Sequence, residues 1–197
     1  MQKTTTSTLM VTASMCFFLA GCTPQGTINT TPNQPTQQGT IIETTNPQGV
    51  IFSKESLKYY PGFPQAEGLW DPTIADATKA DGIVKKCLTD KEQVANDMVK
   101  LYPQTQQQQG KDFKLGQLKE IDPVYAEYKR QYVGYNGKDG HKLIWINFFL
   151  IPDADEVFGN TWKKEIFSVM DGGSAFFDVL VDLDSESCLD FSINGVA

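Results

Sequence analysis

Apolar residues recur at helical spacing in the middle of the chain. Asp71 and Pro72 are residue types favoured at a helix N-cap and at the first helical position. Apolar side chains then fall on or near one face as far as Leu88. A second stretch, residues 90–102, begins with the spacing of a capping box and ends before a proline. The pattern therefore predicts a helix or a helix pair over residues 71–102.

From Tyr125 onward the apolar period changes from helical to alternating. In the most regular stretch, Phe177 and Val179 point one way along an extended strand, while Asp178 and Leu180 point the other way. The alternation and the turn signals that interrupt it predict strands over residues 128–135, 143–150, 165–170, 176–183 and 189–193.

Turn signals suggest how these strands connect. Asn136-Gly137 is a hairpin signal within a longer loop, and Asp171-Gly172-Gly173 makes a tight connection that glycine allows at low steric cost. Helices followed by a run of hairpin strands are typical of the α+β class. We therefore expect an N-terminal helix or helix pair packed on a four- to five-stranded antiparallel sheet.

The N-terminus has the pattern of a targeting segment. Residues 1–21 contain a basic start, an apolar core of about 12 residues and small residues at the end, which is the pattern of a signal peptide. This core is too short for a membrane-spanning helix, which needs about 20 apolar residues. Leu19-Ala20-Gly21-Cys22 resembles the lipobox of bacterial lipoproteins at every position.

The lipobox resemblance implies cleavage before Cys22 and attachment of diacylglycerol to its sulfur. Several acyl chains anchor a protein stably, at about 0.8 kcal/mol per buried methylene. Thr23 stands where a retained inner-membrane lipoprotein would carry Asp, so the resemblance favours the outer membrane. Whether the protein faces the periplasm or the exterior stays open.

Composition separates a tether from a folded domain. Residues 22–50 are rich in Thr, Pro, Gln and Asn and carry one charge, Glu43, so we expect a disordered tether. The predicted organisation is a signal peptide over residues 1–21, a tether over 22–50 and a single α+β domain over 51–197.

Charge and cysteine content narrow the function classes. The net charge of −7 and the isoelectric point near 4.7 argue against nucleic-acid binding and against a polybasic lipid-binding surface. Cys16 falls in the predicted signal peptide and Cys22 is the expected acyl acceptor. Cys87 and Cys188 would remain in an exported domain, where they are expected to form a disulfide. Two buried free thiols are the alternative.

Few residues suggest catalytic or metal chemistry. His141 is the single histidine and lies in a predicted turn, so any Ser-His-Asp or Cys-His site would need it. Arg130 is expected to form a structural ion pair with Asp171 or Asp178, or alternatively to bind a ligand. The acids of residues 182–186 lack the calcium-loop pattern and predict a polar hairpin turn. We expect no metal and no cofactor.

The last 70 or so residues resemble a widespread set of small uncharacterised bacterial proteins, in which a Trp-x-Pro like Trp70-Asp71-Pro72 precedes the helix. The resemblance rests on six segments, residues 130–134, 146–149, 162, 171–173, 176–179 and 194–197. It implies one domain that ends at the C-terminus and brings no function.

The preferred hypothesis is a non-enzymatic, lipid-anchored envelope protein that binds another protein. It rests on a tethered domain with aromatic side chains and on the lack of an assembled catalytic set in the sequence. The alternative is a small-ligand binder or hydrolase that uses Arg130, Asp171 and His141. A passive surface protein without a single partner is a third reading that the sequence does not separate from the first.

Overall fold

A computed structural model describes residues 41–45, 47–57, 68–101, 110–151, 159–169 and 171–195. All of them belong to one unit that spans residues 36–197. The predicted signal peptide and the acyl acceptor Cys22 lie outside the described residues, so the lipobox interpretation stays a prediction. No helix in the described part of the chain is long and apolar enough to cross a membrane.

The two predicted helices are present. α1 (Ile74–Cys87) begins two residues later than predicted, because Thr73 and Asp76 form the capping box at its start. The Asp76 amide donates to Thr73 Oγ1 at 3.2 Å. Asp71 instead accepts a hydrogen bond from the Lys54 amide. α2 (Lys91–Leu101) follows as expected.

A third helix was not predicted from the sequence. α3 (Lys111–Val124) starts at Gly110, which offers no capping side chain. Leu118 and Ile121 are fully buried, but the polar residues Lys114 and Gln117 also take buried positions on this helix. The apolar stripe that would reveal an amphipathic helix is therefore interrupted.

The described residues form one sheet of seven strands: β1 (Ile41–Thr45), β2 (Gln48–Phe52), β3 (Leu69–Trp70), β4 (Lys129–Asn136), β5 (Lys142–Phe149), β6 (Phe176–Asp182) and β7 (Ser187–Ile193). The strand order is β1-β2-β4-β5-β6-β7, and the short β3 also pairs with β4. Every pair is antiparallel except β2 with β4, which is parallel. The α+β class is confirmed. The prediction of four to five strands, all antiparallel and all after the helices, is wrong.

The extra strands come from a segment without a clear strand pattern. β1 and β2 occupy residues 41–52, most of which were expected to belong to the tether, so ordered structure begins by Ile41 rather than near Ile51. β1 lies at the end of the strand order and its described side chains are polar or exposed, so alternation does not reveal it. β2 pairs with a strand about 80 residues later in the chain, and local patterns do not report such a pairing.

The sheet has two faces with different coverings. The inner face packs on the three helices around the main core, which includes Ala80, Leu118, Ile146 and Phe177. The outer face carries a smaller cluster with Val133, Phe149 and Trp162. Alternation along β5 and β6 therefore matches the predicted two-sided pattern.

A loop, residues 159–169, covers part of the outer face where the sequence predicted a strand from residue 165. Gln131, which is fully buried, holds this loop in place. Its Nε2 donates to the Trp162 and Glu165 carbonyls at 2.6 and 2.8 Å, and its Oε1 accepts from the Phe167 amide at 2.8 Å. Asn147 Nδ2 donates to the Phe167 carbonyl at 2.6 Å. Side chains of the sheet thus replace the strand pairing that this segment lacks.

The predicted disulfide is confirmed. The sulfurs of Cys87 and Cys188 are 2.18 Å apart, and their Cα atoms are 6.5 Å apart. The bond joins the end of α1 to the start of β7 across 101 residues of sequence. It therefore joins the helical layer to β7, the last strand in the order of the sheet.

Gly134 in β4 is required by a close approach rather than by a turn. A Cβ atom at this position would lie 2.6 Å from the Trp70 carbonyl oxygen and 2.9 Å from the Trp70 ring. The Trp70 indole N–H donates to the carbonyls of Tyr135 and Leu143 at 2.9 and 3.1 Å. Trp70 therefore packs across the β4–β5 hairpin where only glycine leaves room.

Candidate functional site: a groove on the outer face of the sheet

Arg130 is part of the core rather than of an open site. Its side chain is 1% exposed, and its Nε donates to Asp81 Oδ1 at 2.6 Å. The remaining guanidinium nitrogens donate to the carbonyls of Tyr125 and Tyr128. The guanidinium carbon also lies 4.8 Å from the Tyr125 ring centroid and 5.3 Å from that of Phe148. The ion pair expected for Arg130 exists, but its partner is Asp81 on α1 and not Asp171 or Asp178.

His141 lies at the end of the β4–β5 hairpin turn. Its Nδ1 is 2.7 Å from Asp182 Oδ2, and its side chain is 40% exposed. The hydrogen bond to Asp182 and the negative charge of Asp139 raise the pKa of His141 above its ordinary value. A neighbouring carboxylate that favours the charged imidazolium does not by itself make a catalytic base.

The predicted hairpin turn after β6 is organised by Asp182. Burial alone would raise the pKa of Asp182, but hydrogen bonds from His141 and Ser185 and from the amides of Asp184 and Ser185 hold it below its ordinary value. Ligand atoms of His141, Asp182 and Asp184 lie within 4.8 Å of one another and could in principle hold a cation. Both Asp182 oxygens already accept hydrogen bonds from this turn and from His141.

The three residues of the alternative site take part in three separate networks. Arg130 bonds to α1, and His141 bonds to the turn after β6. Asp171 is exposed, and its carbonyl accepts from Asn194 Nδ2 at 3.1 Å. The glycines after Asp171 serve backbone geometry as predicted, since Gly172 and Gly173 have φ angles of 103° and 56°. The structure does not bring the three side chains into one site.

An open groove lies on the outer face, beyond the part that residues 159–169 cover. It is a cavity of about 390 Å³ between the β4–β5 hairpin and β7. We call it the outer groove, and it is lined by Tyr135, Asn136, Gly137, Lys138, Leu143, Trp145, Asp178, Leu180 and Asp190. Its floor is therefore half-buried aromatic and aliphatic surface with two carboxyl groups.

Register explains why these side chains meet. Trp145 on β5 faces Leu180 on β6, and Leu180 faces Asp190 on β7. Tyr135 on β4 faces Leu143, two residues before Trp145. Side chains at paired positions of neighbouring strands point to the same side of the sheet. Four consecutive strands thus build one continuous surface.

Asp178 is a carboxyl group of the outer groove with a raised pKa. Burial raises the pKa of its carboxyl to about 6, and the negative charge of Asp190 adds to this rise. The Trp145 indole N–H, which donates to Asp178 Oδ1 at 2.9 Å, acts in the opposite direction. Burial and the Asp178 charge also raise the pKa of the Tyr135 hydroxyl. The groove therefore holds the Asp178 carboxyl group in a partly desolvated environment.

A second cavity adjoins the outer groove. It has a volume of about 240 Å³, and its wall includes Asn147, Phe167, Phe176 and Asn194. Trp145 and Asp178 line both cavities. The hydrogen-bonded pair thus stands at the centre of a longer concave surface, with volumes in the range of ligand pockets, about 300–1,000 Å³ when taken together.

Sequence reasoning missed the outer groove, although its signal was present. Asp178 was placed with Leu180 on the second side of its strand, but it was considered only as a partner for Arg130. A carboxylate within an apolar strand face was the available sign. Its aromatic neighbours on β4 and β5 depend on strand order, which local patterns do not give.

Comparison with known protein families, with curated proteins and with solved structures finds no match. The resemblance of the C-terminal residues to small bacterial proteins therefore stays a prediction.

Proposed function

We propose that this protein is a lipid-anchored binding protein of the bacterial cell envelope, and that it binds another protein through the outer groove. The observation that carries the proposal is the pair of Trp145 and Asp178 in an open, half-buried groove. A carboxyl group that is costly to ionise and faces an open aromatic surface is typical of a binding site rather than of a core.

The geometry supports binding over catalysis. A hydrolase needs a nucleophile and a base within hydrogen-bond reach, with donors for the developing negative charge. Arg130, Asp171 and His141 are engaged in separate networks, which weighs against the hydrolase or ligand site expected from these residues.

The anchor in this proposal rests on the resemblance of residues 19–22 to a lipobox. We expect Cys22 to carry the lipid and the mature protein to reside in the outer membrane. Growth with an alkyne-labelled fatty acid should label the wild-type protein and leave Cys22→Ser unlabelled. Equal labelling of both proteins would contradict acylation at Cys22.

Site-specific photocrosslinking in living cells tests the binding surface. A photoreactive amino acid at Leu143 in the outer groove should give a discrete crosslinked protein. The same amino acid at the exposed Lys119 on α3 is the matched control and should not give it. A crosslink at both positions would indicate non-specific proximity. The absence of any groove crosslink in properly acylated protein would favour a passive surface protein.

A further inference from the structure

The outer groove contains two acidic side chains, Asp178 and Asp190. Asp178 accepts one hydrogen bond from Trp145 and forms no ion pair with any residue that the structure describes. Asp190 lies on the neighbouring strand, two residues before Ser192, which faces Asp178. Two carboxyl groups on one desolvated face repel each other and exclude anions.

The remaining groove surface suits a cation. Trp145 and Tyr135 line the cavity, and aromatic rings of this kind attract ammonium and guanidinium groups. Leu143 and Leu180 add apolar surface that can pack along an alkyl chain, as the methylene groups of long basic side chains do. Acidic, aromatic and aliphatic groups thus line one cavity.

The size and the overall charge of the protein agree with this chemistry. A cavity of about 390 Å³ can take a long side chain together with neighbouring backbone. The chain has a net charge of −7, which attracts basic partners over long distances. Lys138 also lines the groove, is exposed and forms no ion pair with the described residues.

We infer that the outer groove binds a basic side chain, lysine or arginine, of a partner protein, with its charge on Asp178 and Asp190 and its alkyl part against Trp145. The polypeptide nature of the ligand rests on the proposed function. The cation chemistry rests on the groove itself. A neutral sugar would leave the charge of Asp178 without an ion pair, and an anion would meet the repulsion of both carboxyl groups.

Four capped pentapeptides test the inference with the purified full chain in neutral detergent. Each has serine at the outer positions and lysine, arginine, acetyl-lysine or norleucine at the centre. NMR follows the indole N–H signal of Trp145, which Trp145→Phe identifies. The lysine and arginine peptides should shift this signal in a saturable manner, and acetyl-lysine and norleucine should not.

Variants of the carboxyl groups make the test specific. Asp178→Asn combined with Asp190→Asn should lower the affinity for the lysine peptide at least tenfold. Glu127→Gln removes one exposed carboxylate elsewhere and should leave the affinity unchanged. Equal binding of norleucine and lysine would overturn the inference, and so would saturable binding of a neutral sugar such as glucose without binding of either basic peptide.

The two proposals fail in different ways. A partner crosslinked at Leu143 that neither basic peptide displaces would leave the proposed function standing and overturn the cation inference. Saturable binding of the basic peptides without any crosslinked partner in cells would keep the cation site and overturn the protein-binding function.

Discussion

Asp178 should make the folded protein less stable at neutral pH than it would be with a neutral side chain. Asp178→Asn keeps the shape of the residue and an oxygen that accepts from Trp145, but removes the charge. A carboxyl pKa raised from 3.8 to about 6 corresponds to about 3 kcal/mol, at about 1.36 kcal/mol per pKa unit. Because solvent reaches the open groove, we expect Asp178→Asn to raise the free energy of unfolding by about 1–3 kcal/mol near pH 7.

The pH dependence carries the diagnostic sign. In the unfolded chain the Asp178 carboxyl ionises near its ordinary pKa, whereas in the folded protein it holds its proton up to about pH 6. Folding therefore takes up a proton between these two values, and this stabilisation is lost as the pH rises through the folded pKa. The advantage of Asp178→Asn over wild type should shrink by about two thirds, or about 1–2 kcal/mol, between about pH 7 and about pH 4.5.

Urea unfolding followed by far-ultraviolet circular dichroism measures these differences at both pH values. Glu127→Gln is the control, because an exposed carboxylate should change stability by less than about 0.5 kcal/mol at either pH. A stability difference between Asp178→Asn and wild type that is the same at both pH values would refute the reasoning. A variant less stable than wild type near pH 7 would refute it as well.

Three further predictions concern the core, the disulfide and the hairpin turn. Asp81→Asn leaves Arg130 charged and buried and should cost about 3–5 kcal/mol in denaturant unfolding, whereas Asp122→Asn in an exposed pair should cost less than about 1 kcal/mol; equal costs would contradict the buried pair. Reduction of the Cys188 disulfide should lower the free energy of unfolding by about 4–5 kcal/mol, and unchanged unfolding after verified reduction would exclude that contribution. In an NMR titration His141 should show a pKa above 6.5. The charged His141 should therefore stabilise the folded protein below pH 6.5, and this stabilisation should be lost as the pH rises through the folded pKa. A pKa at or below 6.5 would contradict the hydrogen bond to the neighbouring carboxylate.

Local patterns predicted the elements whose stabilisation is local. The helix that follows Trp70, the alternation along β5 and β6 and the hairpin at Asn136-Gly137 depend on residues close in sequence, and the structure contains all of them. The predicted cap at Asp71 is wrong, because Thr73 and Asp76 form the capping box of α1. The disulfide followed from eliminating the other two cysteines. Each of these predictions depended either on a short-range sequence pattern or on a choice between few alternatives.

The missed features depend on contacts between distant segments. β2 gains its place by parallel pairing with β4, which the intervening helices separate in sequence. The segment from residue 165 looked like a strand because it alternates, yet Gln131 and Asn147 bind its backbone as a loop. Arg130 takes Asp81 rather than a strand carboxylate because α1 packs directly over the inner face.

The polar residues of the outer face fall into two groups, and the difference indicates where function lies. Gln131 and Asn147 form hydrogen bonds with residues 159–169. The fold therefore explains why these two polar residues are needed. Asp178 accepts one hydrogen bond, from the Trp145 indole N–H, and lines an open cavity. Its raised pKa indicates that ionisation is unfavourable in the folded protein. Natural sequences keep such costs where activity or binding requires them. A variant at Asp178 that gains stability while losing a basic ligand would therefore separate the requirement of folding from the requirement of binding at a single side chain.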